Sequence, residues 1–456
     1  GRLRLLVQPS PDEPYPVAEW DGGNSKFNLV RSTNTNVSGE GGESGKAGSA
    51  CLGSHHMELH APSGYASGAD SHEAPPDELQ LEWVYGCRGH DAHGSVRWTA
   101  NGEVAFHAAA VGAVYDRRGH SQRFFLGHSN DLLCLCTHPS GLAIATGQAG
   151  PTALSCVWDA RTCETISVLR GVHSIGVSAL AFDGNGDTLA TCGLEASHRV
   201  AIWDWRRGLL ISRVAVGAPL IFALAFRLLP FALGASATTE LAVVGVRTAA
   251  FISGLPDPSG PNGDKTHGVA SAALRCKRGV WGGRATATTL LCVVYSGDAS
   301  SSNECYTGTA RGDILVWRDR TLARSVSAHA GPVFTLARAS GDVAASAAET
   351  EVFFSAGKGG KLRRWGGGLR LLGSIDLREP FAALTDAWGR PLVFRCDTAV
   401  RSIDVDGAGR ILLGTSAGEI AVLSPSSGDL SLLLQGHSAR RGAGWPGALA
   451  ALAAHP

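Results

Sequence analysis

The chain of 456 residues sets 40 Lys and Arg against 40 Asp and Glu, is 44% hydrophobic and carries 59 glycines. Its formal charge of zero leaves no overall field to draw it to nucleic acid or to an anionic membrane. No run of about 18 or more apolar residues offers a membrane span, and the opening GRLRLLVQPSPDEPYP turns to proline and acid too early for a signal peptide. The 11 cysteines, odd in number and set mostly in apolar runs, read as reduced, buried thiols of a cytoplasmic protein.

In chain order, the first residue is Gly1 and the sole methionine is Met57, so the sequence reads as part of a longer chain. Residues 17–78 are rich in Gly, Ser, Asn and His with almost no apolar periodicity, and are expected to form a disordered insertion. They include GEGGESGKAG, which has the outline of a phosphate-binding loop but carries Glu40 and Ala47 where such a loop needs Gly and Ser or Thr. The next stretch, ELQLEWVYGCRGHDAH at 78–93, joins two halves of different character. The first half, with Trp83 and Tyr85, has the texture of a strand. In the second, Cys87, His90 and His93 stand three apart, the residue types of a metal site. Three candidates in one loop lack the paired spacing of a four-ligand zinc centre, so they are read as solvated loop residues with no metal.

From residue 94 the texture becomes short alternating apolar runs between Gly, Asp and Asn turns, the mark of many antiparallel strands. An internal repeat decides the architecture: His128 and His173 are 45 residues apart, and so are Trp158 and Trp203. Further units end at Trp317 and Trp365. The strand sets count seven blades, which close a ring, and the expected fold is all-β: a seven-bladed WD-repeat β-propeller over 94–437. In such blades a His, a Ser or Thr, an Asp and a Trp form a buried hydrogen-bonded chain. The sets available are His128, Thr146 and Trp158; His173, Thr191 and Trp203; and His329, Ser355 and Trp365, each without its Asp. Arg311 stands near the place of the acid in the fifth unit and Gly359 in the sixth. Because these residues recur once per repeat, they are read as structural rather than catalytic. Basic clusters lie at Arg117, Arg118 and Arg123, at Arg206 and Arg207, at Lys358 and Lys361, and at Arg440 and Arg441. Lys358 and Lys361, flanking a tight turn between the second and third strands of a blade, are the candidate partner-binding pair.

LEWVYGCRGHDAHGSV, a blade closing in QRFFLGH, then CLCTHPSGLAIATGQAG and a VWD strand together resemble the echinoderm microtubule-associated protein-like family. Its hydrophobic motif reads close to LEWVYG-x-RG and leads directly into the first repeats; GRLRLLVQPS is similar to the start of that motif. The resemblance implies that 1–93 is this motif with its insertion, that 94–437 is the first of a tandem pair of propellers, and that 438–456 is the first strand of a truncated second one. It implies binding of tubulin or microtubules, a cytoskeletal location with cilium or axoneme as one setting, and neither enzymatic activity nor cofactor. The alternative is a generic WD-repeat scaffold that assembles other proteins through its loops, of ciliary or ubiquitin-ligase type. Since blade seven supplies its own outer strand, LQLEWVYG is expected to pair outside the first ring, as a clasp to the second propeller.

Overall fold

Each alternating apolar run of the repeat becomes a strand whose inward residues pack against the neighbouring sheet, and four such strands make one blade. The structure, a computed structural model, describes residues 46–52, 55–60, 81–227, 240–255, 274–282, 287–297, 304–339, 351–384, 398–424 and 427–435. Seven four-stranded antiparallel sheets follow one another without a strand exchanged between them. Blade one runs from Val96–Trp98 to Ser121–Phe125, blade two from Leu132–Thr137 to Thr165–Leu169, and blade three from Val177–Phe182 to Leu209–Ala215. Blade four spans Ile221–Phe226 to Arg275–Arg278, five Leu290–Tyr295 to Thr321–Ser327, six Val333–Arg338 to Arg370–Asp376, and seven Val400–Val405 to Leu430–Leu434. A short helix, Arg378–Ala382, follows blade six and buries Phe381 in the core shared by blades six and seven.

The second and third strands of each blade are buried almost throughout, for example the second strands AIATGQ of blade two and ECYTGT of blade five. Outer strands such as TLARSVS alternate between exposed and half-buried residues. The core is therefore not one mass. It is a series of apolar wedges between adjacent blades, one of them joining Val200 and Ile202 of blade three to Leu241 and Val243 of blade four.

The inner strands share a second regularity. In blades two to seven the register slips at the second residue, after Leu132, Val177, Ile221, Leu290, Val333 and Val400. A bulge re-aims the side chain that it frees. Phe222, Phe334 and Arg401 occupy three of these positions. Blade one differs: its inner strand, Val96–Trp98, is three residues long and has no slip.

The segment before that strand completes the junction between blades one and seven. Cys87 N–H donates to Gly418 O (3.0 Å) and Arg88 N–H to His107 O (2.9 Å). Arg401 donates to His90 O (3.1 Å), and Trp98 N–H donates to the Asp404 carboxylate (2.7 Å). Val84 and Cys87 are buried in one cluster with Val96, Phe106, Leu412 and Val422. This corrects the expectation that LQLEWVYG pairs outside the first ring. Its residues 81–85 form no strand, and the backbone N–H and C=O of Val84 are both taken by the Gln122 side chain, at 2.8 and 3.0 Å. Trp83 rests on Tyr115 and His120, with ring centroids 6.0 and 5.0 Å away, and Tyr85 lies 6.3 Å from Trp83. A seven-bladed ring with four strands per blade has no vacancy for a further strand, yet it does have a seam, and this strap seals it.

Within the insertion at 17–78, expected to be disordered, Lys46–Leu52 pairs antiparallel with His55–His60 in a hairpin. The rest of that stretch lies outside the described residues, as do Arg440, Arg441 and all of 438–456.

Candidate functional site

The recurring polar sets come first, because they hold the loops of one face. In blade two, His128 Nε2 lies 2.7 Å from Thr146 Oγ1, and Trp158 Nε1 donates to the same oxygen at 3.1 Å. His128 Nδ1 donates to Gln148 Oε1 at 2.8 Å. Nδ1 thus carries the proton, Nε2 accepts from the threonine hydroxyl, and every polar atom of the set has a role. Blade three repeats it: His173 to Thr191 at 2.7 Å, Trp203 to Thr191 at 3.0 Å, and His173 Nδ1 to Glu195 at 3.3 Å. In blade six Ser355 takes both His329 and Trp365 at 2.8 Å, and in blade five Trp317 donates to Thr307 at 2.9 Å.

Gln148 and Glu195, standing in for the absent Asp, went unnoticed in the sequence. The signal was there: Thr146 and Thr191 precede their Trp by 12 residues, whereas Thr307 and Ser355 precede theirs by 10. The extra pair lengthens the turn enough to carry a side chain back to the histidine.

Burial pushes the His128 imidazole down to about 4; His329 also falls to about 4, through burial and then the charges of Arg363 and Lys361. His173 is lowered by burial against the pull of Glu195. These rings are neutral at pH 7, and the hydroxyls they hold are sealed: Thr146, Thr191, Thr307 and Ser355 are fully buried. Such a set braces a turn and has no route to a substrate.

Cys87, His90 and His93 are drawn apart by the strap. Cys87 is buried, not solvated, and burial pushes its thiol up to about 12. His90 pairs with Asp91 (3.2 Å). His93 reaches the middle of the ring, its centroid 5.7 Å from Phe222 of blade four and 5.8 Å from Phe334 of blade six, and burial lowers it to about 4. Cys87 is thus taken into the apolar cluster between blades one and seven, while His90 and His93 stay half-buried, His93 against the aromatic rings of the inner strands. Arg88, missed in the sequence reading, anchors the strap: it is buried, grips both oxygens of Asp91 at 2.7 Å and reaches Asp131 at 3.0 Å. Among the described residues no group of three or more His, Cys, Asp or Glu is placed to hold a metal ion.

The basic clusters separate by what they touch. Arg123 is clamped by Glu103, Arg117 lies 5.6 Å over the Trp98 ring, and Arg206 lies 4.4 Å over Trp205 while pairing with Asp187. Arg207 pairs with Asp204. Lys358 and Lys361 are both exposed, on either side of Gly359 and Gly360, whose φ of 102° and 71° the turn requires. The turn is pinned by Lys358 N–H to Pro332 O (3.2 Å) and Leu377 N–H to Gly360 O (2.7 Å), and Lys361 stands opposite Asp376 in the ladder. Arg363, two residues on, shares the same side of the strand.

Comparison with known proteins now joins this geometry. A family model described as echinoderm microtubule-associated protein first beta-propeller matches residues 121–422, and a HELP motif model matches residues 74–113, from the strap into blade one. The chain belongs to the echinoderm microtubule-associated protein family. It is 25% identical over 380 residues to echinoderm microtubule-associated protein-like 1 of Homo sapiens, covering 80% of this chain and 40% of that protein. To echinoderm microtubule-associated protein-like 2 of Homo sapiens it is 25% identical over 382 residues, with 80% and 50% covered. The chain thus spans about half or less of the length of these family members. Among solved structures, the β-propeller domain of Myceliophteria thermophila Cps50 (Swd1) aligns with a TM-score of 0.46 and 15% identity, covering 65% of this chain and 84% of that one.

Proposed function

We propose that this chain is a non-enzymatic microtubule-associated module, a rigid propeller whose loops engage tubulin without a cofactor. The observation that carries the reading is the family match over residues 121–422, which lies on a complete ring and begins in blade one. The sealed hydroxyls and neutral imidazoles of the blade sets support the non-catalytic part. At residue level the reading places the contact at the turn of Lys358 and Lys361, which is exposed, shaped by two glycines at positive φ and pinned by two backbone hydrogen bonds. Rim charges of this kind mainly speed encounter and are screened over about 8 Å at physiological ionic strength, so the affinity expected is on the order of micromolar. A cytoskeletal place in the cytoplasm follows from the same reading. Gel filtration of the chain with unpolymerised tubulin tests it: co-elution that weakens with salt supports it, and separate elution at micromolar concentrations of both moves the choice to a generic WD-repeat scaffold.

A further inference from the structure

The exposed and half-exposed arginines of the rim divide by their partners. Several are neutralised: Arg123 by Glu103, Arg206 by Asp187, Arg318 by Glu304, Arg410 by Asp406 and Arg378 by Asp376. The outer edge of blade four gathers cations that are not neutralised into one short strand. Its last strand, Arg275–Arg278, reads RCKR; Arg275, Lys277 and Arg278 are exposed, and none forms an ion pair with another described residue. Arg320, exposed in the turn of blade five beside it, shares this condition, although Asp319 precedes it in the turn.

What holds Arg278 and Arg320 is neutral. Arg278 donates to Gly217 O at 2.6 Å and Arg320 donates to Arg278 O at 3.3 Å. The turn itself is tied to the strand's exit by Val280 N–H to Arg320 O (2.8 Å) and Leu322 N–H to Val280 O (2.9 Å). Carbonyl acceptors orient a guanidinium and leave its charge uncompensated. In a protein whose formal charge is zero, four cations on one edge are a local excess. The strand closes its sheet, and among the described residues no further strand pairs with that edge. Arg275 and Lys277 share one face about 7 Å apart, the spacing of alternate side chains along an extended peptide.

We propose that this edge is a docking strip for an acidic, extended polypeptide segment of a partner protein, with Arg275 and Lys277 taking alternate carboxylates and Arg278 and Arg320 flanking them. The strip is separate from the turn of Lys358 and Lys361, and it stands whether or not tubulin is the partner. The test is fluorescence anisotropy of a labelled oligoglutamate peptide with the full chain at about 50 and about 200 mM salt. The wild type should bind and weaken with salt. Arg275→Glu with Lys277→Glu should weaken binding at least about tenfold and flatten the salt dependence, the double Gln variant should fall between, and both should melt as the wild type does. Arg118→Glu with Arg161→Glu, on blades one and two, carries the same change in charge and should leave binding within about twofold. Absence of wild-type binding, an unaffected double Glu variant, an equal loss in the blade-one and blade-two control, or full displacement by single-stranded RNA at equal charge would each overturn the proposal.

Discussion

Acidification from pH 7 to pH 5 should destabilise this propeller sharply, and the buried imidazoles set the size of the effect. His107, His128 and His329 are nearly or fully buried, and burial holds them at about 3, 4 and 4, with the Arg88 charge adding to the depression of His107. A base whose folded pKa lies below its unfolded value binds protons more readily when unfolded. Its contribution is therefore complete above about 6.5 and is lost as pH falls from there toward the folded pKa. Between pH 7 and pH 5 each ring gives up about 2 kcal/mol, roughly 6 for the three, against the 5 to 15 kcal/mol that typical domains have in all. Burial raises the carboxyls of Asp183, Glu240, Asp404 and Glu419, and these stabilise as protons are added, offsetting part of the loss. His107 isolates the effect, because neither of its ring nitrogens has a hydrogen-bond partner among the described residues. His107→Leu should remove about 2 kcal/mol of the pH dependence while costing little at pH 7. Urea unfolding followed by circular dichroism at the two pH values measures both. Equal stability at pH 7 and pH 5, or a His107→Leu variant with the whole pH dependence intact, would refute the reasoning.

Three further outcomes are expected. Trp158 is fully buried and stacks on Phe125 of blade one at 4.9 Å; Trp158→Ala should cost about 3 to 5 kcal/mol, and Trp158→Phe, which keeps a ring in the stack but drops the bond to Thr146, about 1 to 2. Arg88→Ala should cost about 3 kcal/mol, the low end for a broken buried pair, because the Asp91 and Asp131 side chains are 44% and 37% exposed and can rehydrate; denaturant midpoints check both variants. Lys358→Glu with Lys361→Glu should weaken tubulin binding and reduce its salt dependence in a titration at two ionic strengths, and unchanged binding with unchanged salt slope would eliminate that turn.

The ring was legible because its signal is local. The 45-residue spacing of His128 to His173 and of Trp158 to Trp203 repeats one blade's worth of chain, and each turn announces itself within a few residues. The strap was not, for the opposite reason. Val84 satisfies its backbone through Gln122, 38 residues away, and the seam it covers is closed by Ser402 and Asp404, 306 residues from their partners Val96 and Trp98. An aromatic, apolar run with its hydrogen bonds met by distant side chains reads in sequence as a strand. His93 shows the same limit: a histidine in a polar turn packs against aromatic rings only because bulged inner strands bring Phe222 and Phe334 to it. Lys358 and Lys361 were legible as an exposed turn, since two glycines between two lysines leave little else. The cations of Arg275–Arg278, which form no ion pair among the described residues, were not, because which rim arginines lack a carboxylate depends on neighbours in other blades.

Microtubule pelleting is the most direct test of the central claim. Increasing taxol-stabilised polymer should carry the full chain into the pellet with a Kd on the order of micromolar that rises with salt, alongside co-elution with unpolymerised tubulin. A chain that stays in the supernatant at polymer concentrations well above that, and elutes apart from the tubulin dimer, would contradict the claim.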